Sequence, residues 1–197
     1  DKGKSIKNSK GELVCKNPFP TMPLKFWNDK NDNKFKDAYF NRFPNTWHHG
    51  DFAEIKTTRG FVIHGRSDTT LNPGGVRLGT AEIYSEVEKF KEIKESIVVG
   101  QSWDNDVRII LFIVMNAKFF LTEDLLKKIK TQIRKNASPR HVPSKVIVVR
   151  DIPRTKSGKI VELAVKNTIE GNNIKNEEAL ANPKALEQFK GLKELSI

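Results

Sequence analysis

The sequence contains few groups that could cross-link the chain or anchor it in a membrane. Cys15 is its single cysteine, so no disulfide can form within the chain, and a reducing compartment, the cytoplasm, is the expected location. No stretch approaches the roughly 18–20 consecutive apolar residues of a membrane-spanning helix, and the N-terminus has no signal-peptide pattern, so we expect no membrane partner. The first residue is Asp1 rather than Met, which indicates a fragment or a processed chain.

Charge is where the composition is unbalanced, with 35 Lys+Arg against 24 Asp+Glu and a formal net charge of +11. Such an excess suits a polyanionic partner, either a nucleic acid or a phosphorylated small molecule. The basic residues are scattered along the sequence without forming a long basic run. A solvated, lysine-rich surface is therefore the favoured interpretation of the charge, and polyanion binding is the alternative.

The first 66 residues are predicted to be β-rich but irregular. Prolines and large aromatic residues recur between positions 18 and 47, and the one clear strand signal before them lies at residues 12–15. Two further strands, at residues 52–55 and 61–64, flank a turn containing Gly60, which is typical of a hairpin. A segment of this size buries so many rings poorly by itself, so we expect it to pack onto a larger domain.

From about Arg66 the pattern predicts a helix–strand–strand–helix–strand–helix unit. Thr80 and Thr122 are predicted to cap the first two helices, and Gly171 to end the third. Apolar, β-branched runs predict the strands. The predicted strands span residues 96–99, 107–114 and 145–149, and the third helix spans residues 161–169. The expected fold class is α+β, with a small mixed sheet and helices packed against it.

Three short motifs carry the chemistry. They are His49-Gly50-Asp51, the stretch Gly65–Ile83 (GRSDTTLNPGGVRLGTAEI), and Pro153-Arg-Thr-Lys-Ser-Gly-Lys159. In this order and at this spacing they resemble the Gly-Asp, Gly-Arg-x-Asp and Pro-x-Thr-x-x-Gly-Lys motifs of the adenylate-forming superfamily of acyl-CoA synthetases, luciferases and peptide-synthetase adenylation domains. Within that superfamily, the flanking residues 11–27, 47–51 and 138–143 look most like the acetoacetyl-CoA synthetase family.

The resemblance implies a division of the chain. Residues 1–66 correspond to the C-terminal end of a large adenylation domain, residues 67–68 to a hinge, and residues 69–197 to the C-terminal lid domain. A hinge needs a few residues that can absorb a large φ/ψ change, which suits the short polar side chains at 67–69. An ordinary interdomain turn is the alternative. The remainder of the large domain, expected upstream, is then a required partner.

The resemblance also implies roles for individual residues. Asp51 and Arg66 would bind the ribose of ATP or AMP, and Asp68 would be the pivot of the lid. Gly75 would line a tunnel for the pantetheine arm of CoA, and Arg77 would assist CoA binding. The alternative for Asp51 is a turn-forming aspartate that bonds its own backbone.

Lys159 is the residue to which the resemblance gives the chemistry of the first step. Attack of a carboxylate on the α-phosphorus builds negative charge on phosphate oxygens, and an ammonium aimed there stabilises the transition state. Ser157 and Gly158 predict a mobile loop before it, and a basic surface turn is the alternative. The spacing is not that of a Walker P-loop. Arg134 corresponds, by its distance from this motif alone, to an arginine that holds the CoA 3′-phosphate, and a plain surface arginine is the alternative.

The resemblance as a whole implies an ATP-dependent acid–thiol ligase. Acetoacetate and ATP would give acetoacetyl-adenylate and pyrophosphate, and CoA would then give acetoacetyl-CoA and AMP. Mg²⁺ would arrive bound to ATP, and no tightly bound cofactor is expected. The acyl pocket would lie upstream, so we expect the chain alone to be inactive. No resident metal is expected either, because the histidines are not spaced as ligands with acidic or cysteine partners: His48, His49, His64 and His141.

Two other functions stay open. Another short-chain acyl-CoA synthetase, acting on acetate or propionate, would keep every motif and differ only upstream. A basic nucleic-acid-binding module would need aromatic residues interleaved with Lys and Arg on one sheet face. The three predicted strands are nearly pure aliphatic instead, so we expect no nucleic-acid partner.

Overall fold

The computed structural model describes residues 4–174 and 177–197, which divide into two compact units, one ending at Asp68 and the other beginning at Thr69. The first unit is an antiparallel sheet in the order β1-β2-β3. Its strands are β1 (Lys10–Cys15), β2 (Trp47–Ile55) and β3 (Phe61–Arg66), and its helices are a 3₁₀ turn (Lys30–Asp32) and α1 (Asn33–Tyr39).

The hairpin of β2 and β3 confirms the prediction from the Gly60 turn, although both strands run further than predicted. Ile55 pairs with Phe61, and the amide of Lys56 donates to the carbonyl of Gly60 across the turn at 2.9 Å. A bulge between Phe52 and Ala53 shifts the register towards the start of β2. Bulges bend a strand and re-aim its side chains, and this one lies next to the functional residues described below.

Helix α1 was not predicted, and the expectation of irregular structure at Asn33–Tyr39 is wrong. Two contacts outside simple periodicity account for it. The carboxylate of Asp29 accepts hydrogen bonds from the amides of Lys34 and Phe35, at 3.0 and 2.8 Å, and so satisfies donors that a helix start leaves open. Tyr39 stacks on Trp47 of β2 with ring centroids 3.7 Å apart, so tertiary aromatic packing holds a short helix that is marginal by itself.

The second unit has the predicted helix–strand order and a three-stranded mixed sheet, so the predicted α+β class is confirmed. β4 (Ile93–Trp103) and β5 (Asp106–Met115) are antiparallel, and β6 (Lys145–Val148) lies parallel to β5. The helices are α2 (Ala81–Val87), α3 (Glu123–Asn136) and α4 (Glu162–Ile169). A short 3₁₀ turn at Pro73–Gly75 precedes α2. The described part of the unit also has 3₁₀ segments after α3 and α4: Pro139–His141, Glu177–Ala179, Pro183–Phe189 and Lys193–Leu195.

Strand β5 lies in the middle of the sheet, and both of its faces are buried. Ile109, Leu111 and Ile113 face one core cluster, which also holds the apolar residues of α2 and α3. Ile110 and Phe112 face the other, together with α4 and the segment after residue 177. This two-sided burial explains why the sequence of β5 is a continuous apolar run rather than an alternating one.

The two threonine caps have different outcomes. Thr122 caps α3 as predicted, because its side-chain oxygen accepts from the amide of Leu125 at 3.2 Å. The predicted side-chain cap at Thr80 is wrong, since Thr80 is itself in helical φ/ψ space and makes no capping bond. The amide of Gly79 donates instead to Glu82 at 3.2 Å, within the first turn of α2. No helix formed by residues 4–174 or 177–197 has the length and apolar character needed to cross a membrane.

Candidate functional site

Asp51 and Arg66, the two predicted nucleotide-binding residues, lie opposite each other on β2 and β3. Directly paired residues of antiparallel strands project from the same face of the sheet, so their side chains meet. Nη1 of Arg66 lies 3.5 Å from Oδ1 of Asp51, and Nη2 lies 3.4 Å from Oδ2 of Asp68. The structure therefore brings together the predicted ribose-binding pair and the predicted pivot, with one guanidinium between two carboxylates.

His49 is a member of this cluster to which the sequence analysis gave no role. Its Nδ1 lies 2.7 Å from Oδ2 of Asp51, and its carbonyl accepts from Nη1 of Arg66 at 3.3 Å. The contact between His49 and Asp51 could have been predicted from the sequence, because residues two apart on a strand lie on the same face. His49 and Arg66 together orient the carboxylate of Asp51, whose remaining lone pairs can accept further hydrogen bonds.

Gly50 is what allows Arg66 to lie so close to β2. Its φ of +85° is a left-handed conformation that glycine adopts without steric cost. A Cβ at this position would lie 2.6 Å from Nη2 of Arg66 and 3.0 Å from Cζ. The glycine of the Gly-Asp motif is thus required both by the turn of the backbone and by the guanidinium packed on it.

A cleft of about 850 Å³ opens beside this cluster, and its wall is rich in basic and aromatic groups. Arg42 and His48 reach it, and both contact Glu12 of β1, at 2.7 and 3.1 Å. Burial raises the pKa of Glu12, but hydrogen bonds from His48 and Ser67 and the charge of Arg42 outweigh that effect and hold the pKa below its ordinary value. The glutamate thereby stays ionised and holds Arg42 and His48 in one wall of the cleft.

In the second unit, Gly75 lies in a left-handed turn that is anchored to β5. The φ angles of Gly74 and Gly75 are +58° and +74°. The amide of Gly74 donates to both carboxylate oxygens of Asp106, each at 2.9 Å, and thereby fastens the Asn72–Gly75 loop to the first residue of β5. Nothing lies within 4 Å of a Cβ built on Gly75, so this glycine presents bare backbone to open space.

The two predicted CoA-binding arginines come from different elements of the same unit. Arg77 follows the glycine turn and is exposed. It directly precedes Leu78, which forms an antiparallel bridge with Leu71. Arg134 is exposed in the last turn of α3, where a cation also interacts favourably with the helix dipole.

Lys159 is exposed at the end of a closed loop whose backbone is firmly hydrogen-bonded. The amide of Thr155 donates to the carbonyl of Lys159 at 2.9 Å, and the amide of Lys159 donates to Oγ1 of Thr155 at 3.1 Å. Gly158, at φ +84°, closes the turn with a 2.8 Å bond to the carbonyl of Thr155. Short hydrogen bonds thus close the backbone of the loop that the sequence predicts to be mobile.

The Lys159 loop and the Gly75 turn attach to opposite ends of the β4–β5 ribbon. Arg154, which begins the Lys159 loop, pairs with Glu95 at 3.0 Å, and Glu95 lies opposite Val114 near the end of β5. The Gly75 turn is held by Asp106 at the start of β5. The eight steps from position 106 to 114 correspond to roughly 26 Å along the strand at about 3.3 Å per residue. The two loops are therefore anchored near opposite ends of the ribbon.

No metal centre accompanies these groups in the described residues. Among residues 4–174 and 177–197, no three His, Cys, Asp or Glu side chains come together as a metal site requires. His141, the histidine of the second unit, is buried and held between Ser138 and Glu82 at 2.8 and 2.9 Å, so both ring nitrogens are used in joining the segment after α3 to α2.

Comparison with known proteins defines the class. Residues 82–159 match the family model of the AMP-binding enzyme C-terminal domain. The structure superposes on a benzoate CoA ligase from Burkholderia xenovorans LB400 with a TM-score of 0.66 over 82% of this chain and 31% of that one, at 22% identity, a likeness of fold alone. Residues 82–159 are therefore an AMP-binding enzyme C-terminal domain.

Closer relatives are acetoacetyl-CoA synthetases. The chain is 58% identical over 195 residues to the Rhizobium meliloti (strain 1021) enzyme and 46% identical over 197 residues to the Xenopus tropicalis enzyme. These alignments cover 99% of this chain and 30% and 29% of the relatives, so the chain spans less than a third of their length. The structure of acetoacetyl-CoA synthetase from Streptomyces lividans matches with a TM-score of 0.90 and 39% identity, over 99% of this chain and 30% of that one. Over 99% of its length the chain is thus similar to acetoacetyl-CoA synthetases.

Proposed function

We propose that this chain is the C-terminal part of a cytoplasmic ATP-dependent ligase that converts acetoacetate, ATP and CoA to acetoacetyl-CoA, AMP and pyrophosphate. Residues 1–66 would complete a large adenylation domain, residues 67–68 would be the hinge, and residues 69–197 the lid. The observation that carries the proposal is that the Lys159 loop and the Gly75 turn are anchored near opposite ends of the β4–β5 ribbon, at Glu95 and Asp106.

In the first half-reaction, a carboxylate oxygen of acetoacetate attacks the α-phosphorus of ATP, and the bond to pyrophosphate breaks. Asp51 and Arg66 hold the ribose, since the fixed carboxylate accepts its hydroxyls. Lys159 enters the site with the lid and stabilises the charge that develops on the phosphate oxygens. Mg²⁺ belongs to the ATP substrate, and no tightly bound cofactor is needed.

In the second half-reaction, the thiolate of CoA attacks the acyl carbon, and the bond to AMP breaks. Rotation of the lid about Asp68 withdraws Lys159 and presents the opposite end of the sheet. Gly75 then lines the path of the pantetheine arm, Arg77 assists CoA binding and Arg134 holds the 3′-phosphate. Because the Lys159 loop is fastened to the sheet, a rigid-body rotation is the motion that exchanges the two ends.

A nucleic-acid-binding role is disfavoured by how the sheet of the second unit is covered. One face packs on α2 and α3, and the other on α4 and the segment after residue 177. The sheet therefore offers no open face on which bases could stack. Acetate and propionate stay alternative acyl substrates, because the proposed acyl pocket lies in the preceding domain.

Pyrophosphate exchange tests the proposed function. The complete ligase, meaning this chain preceded by its large domain, is expected to exchange labelled pyrophosphate into ATP when acetoacetate is present, and less with acetate or propionate. The chain alone is expected to show no exchange. Exchange by the isolated chain, or a preference of the complete ligase for acetate, would overturn the proposal.

Gly50→Ala should weaken nucleotide binding in the complete ligase. The new Cβ displaces the guanidinium of Arg66 from Asp51 and Asp68, and the left-handed backbone adds about 1–2 kcal/mol of strain. We expect the KM for ATP to rise about tenfold, corresponding to roughly 1.4 kcal/mol, with the KM for CoA little changed. The matched control is Gly60→Ala in the β2–β3 turn, where the nearest atom to a Cβ is 3.6 Å away. Equal KM values for ATP in the two variants would contradict the assignment.

A further inference from the structure

The Lys159 loop is paired with a segment that lies outside the residues matched by the family model. Residues 179–182, here called the tail segment, run beside it. The amide of Lys156 donates to the carbonyl of Ala179 at 3.1 Å, and the amide of Ala181 donates to the carbonyl of Arg154 at 2.8 Å. Thr155 forms an isolated antiparallel bridge with Leu180. The tail segment thus acts as an additional strand on the loop.

Asn182 ends the tail segment and uses its whole amide on the start of the loop. Its Oδ1 accepts from the amide of Arg154 at 2.8 Å. Its Nδ2 donates to Oδ2 of Asp151 at 2.7 Å and to the carbonyl of Ile152 at 3.0 Å. A single half-buried side chain therefore fixes three nearby positions, 151, 152 and 154, at the start of the loop that carries Lys159.

The guanidinium of Arg154 holds the same loop from the other side. Its Nη1 donates to the carbonyl of Gly158 at 2.9 Å, one residue before Lys159. Its Nη2 pairs with Glu95 of β4 at 3.0 Å. The loop is consequently tied to the sheet through Arg154 and to the tail through Asn182.

The geometry points to Asn182 and Arg154 as positioning residues that hold the Lys159 loop in the orientation needed for adenylate formation. The inference rests on the proposed function, in which Lys159 meets the α-phosphate. An ammonium stabilises the transition state only when it is placed on the developing charge, and a displacement of about 1 Å can cost roughly 10²-fold in rate. A loop closed only by its own short hydrogen bonds would pivot at its base, which is where Asn182 and Arg154 hold it.

The alternative is that Asn182 has a purely structural role in docking the tail. A comparison with Gln188 distinguishes this role from positioning of the Lys159 loop. Gln188 also joins the tail to the body of the unit with two hydrogen bonds, accepting from the amide of Arg150 at 2.7 Å and donating to the carbonyl of Asp151 at 2.8 Å. A third bond, to the carbonyl of Ala185 at 2.9 Å, lies within the tail itself. It makes none of the described contacts to residues 154–159. Gln188→Ala is therefore the matched control for Asn182→Ala.

The test measures both half-reactions and the unfolding temperature of each variant of the complete ligase. Asn182→Ala is expected to slow acetoacetate-dependent pyrophosphate exchange by about 10- to 100-fold, and to leave thioester formation from supplied acetoacetyl-adenylate and CoA within about twofold of normal. Arg154→Met, which leaves the tail contacts in place, is expected to show the same selective loss. Gln188→Ala should change neither rate by more than about twofold.

Three results distinguish the possible failures. Equal losses in Asn182→Ala and Gln188→Ala, or equal losses in both half-reactions, would overturn the positioning role. Should Asn182→Ala not fold, Arg154→Met with a normal exchange rate would overturn it instead. Normal exchange after Lys159→Ala, measured in parallel, would overturn the proposed function itself. If Lys159→Ala slows exchange but Asn182→Ala and Arg154→Met exchange normally, only the positioning role is overturned.

Discussion

Lys159→Ala in the complete ligase is expected to slow adenylate formation by about 10²–10³-fold, the usual consequence of removing one preorganised group from a developing oxyanion. The side chain is exposed and makes no described hydrogen bond of its own, while the loop is held through the backbone and Thr155, so the substitution should leave the fold intact. Thioester formation from supplied acetoacetyl-adenylate should proceed at its normal rate, because the lid has then withdrawn this loop.

Lys156→Ala is the matched control for that experiment. Lys156 is an exposed lysine of the same loop, three residues earlier, so the variant removes the same charge from the same surface. The hydrogen bond from the backbone amide of Lys156 to the carbonyl of Ala179 is kept, since only the side chain changes. We expect less than about a twofold change in exchange rate. A similar loss in both variants would mean that general positive charge, rather than a placed ammonium, assists the reaction.

The second unit was predictable because hydrophobic pattern dominates it. Strand β5 is covered on both faces, and its apolar run from Ile109 to Val114 predicted a strand directly. Helix α3 combines an apolar stripe at Leu125, Ile129 and Ile133 with a genuine threonine cap. In these elements local preference and tertiary packing agree, which is the condition under which pattern predicts structure.

The remaining features depend on contacts between distant residues, and pattern alone does not reveal those. Helix α1 exists because Asp29 caps it and Trp47 stacks on it, and neither contact has a periodic signal. The contacts of the Lys159 loop with the tail had no signal in the sequence, because Asn182, which bonds the start of the loop, lies 23 positions beyond Lys159. The Asp51–Arg66 contact was implied by family motifs, but its geometry follows from strand register.

Gly75→Leu is expected to impair the second half-reaction by about 10²-fold or more while leaving pyrophosphate exchange near normal. No atom lies within 4 Å of the Cβ position, so the new side chain meets no clash within the described unit, and only the left-handed φ of +74° opposes it, at about 1–2 kcal/mol. If the pantetheine arm passes over this glycine, the leucine occupies its path. Rates of thioester formation from supplied acetoacetyl-adenylate and CoA measure the effect.

Gly74→Leu makes the comparison decisive. Gly74 is also left-handed, at φ +58°, and also faces open space, so the conformational strain is similar, and its amide can keep both bonds to Asp106. Only the position relative to the proposed tunnel differs, and we expect this variant to retain most of its thioester-forming rate. Losses in opposite half-reactions for Lys159→Ala and Gly75→Leu would follow from two loops that are anchored near opposite ends of the β4–β5 ribbon and reach one active site in turn. Loss of both half-reactions in both variants would instead mean that the lid acts in a single orientation.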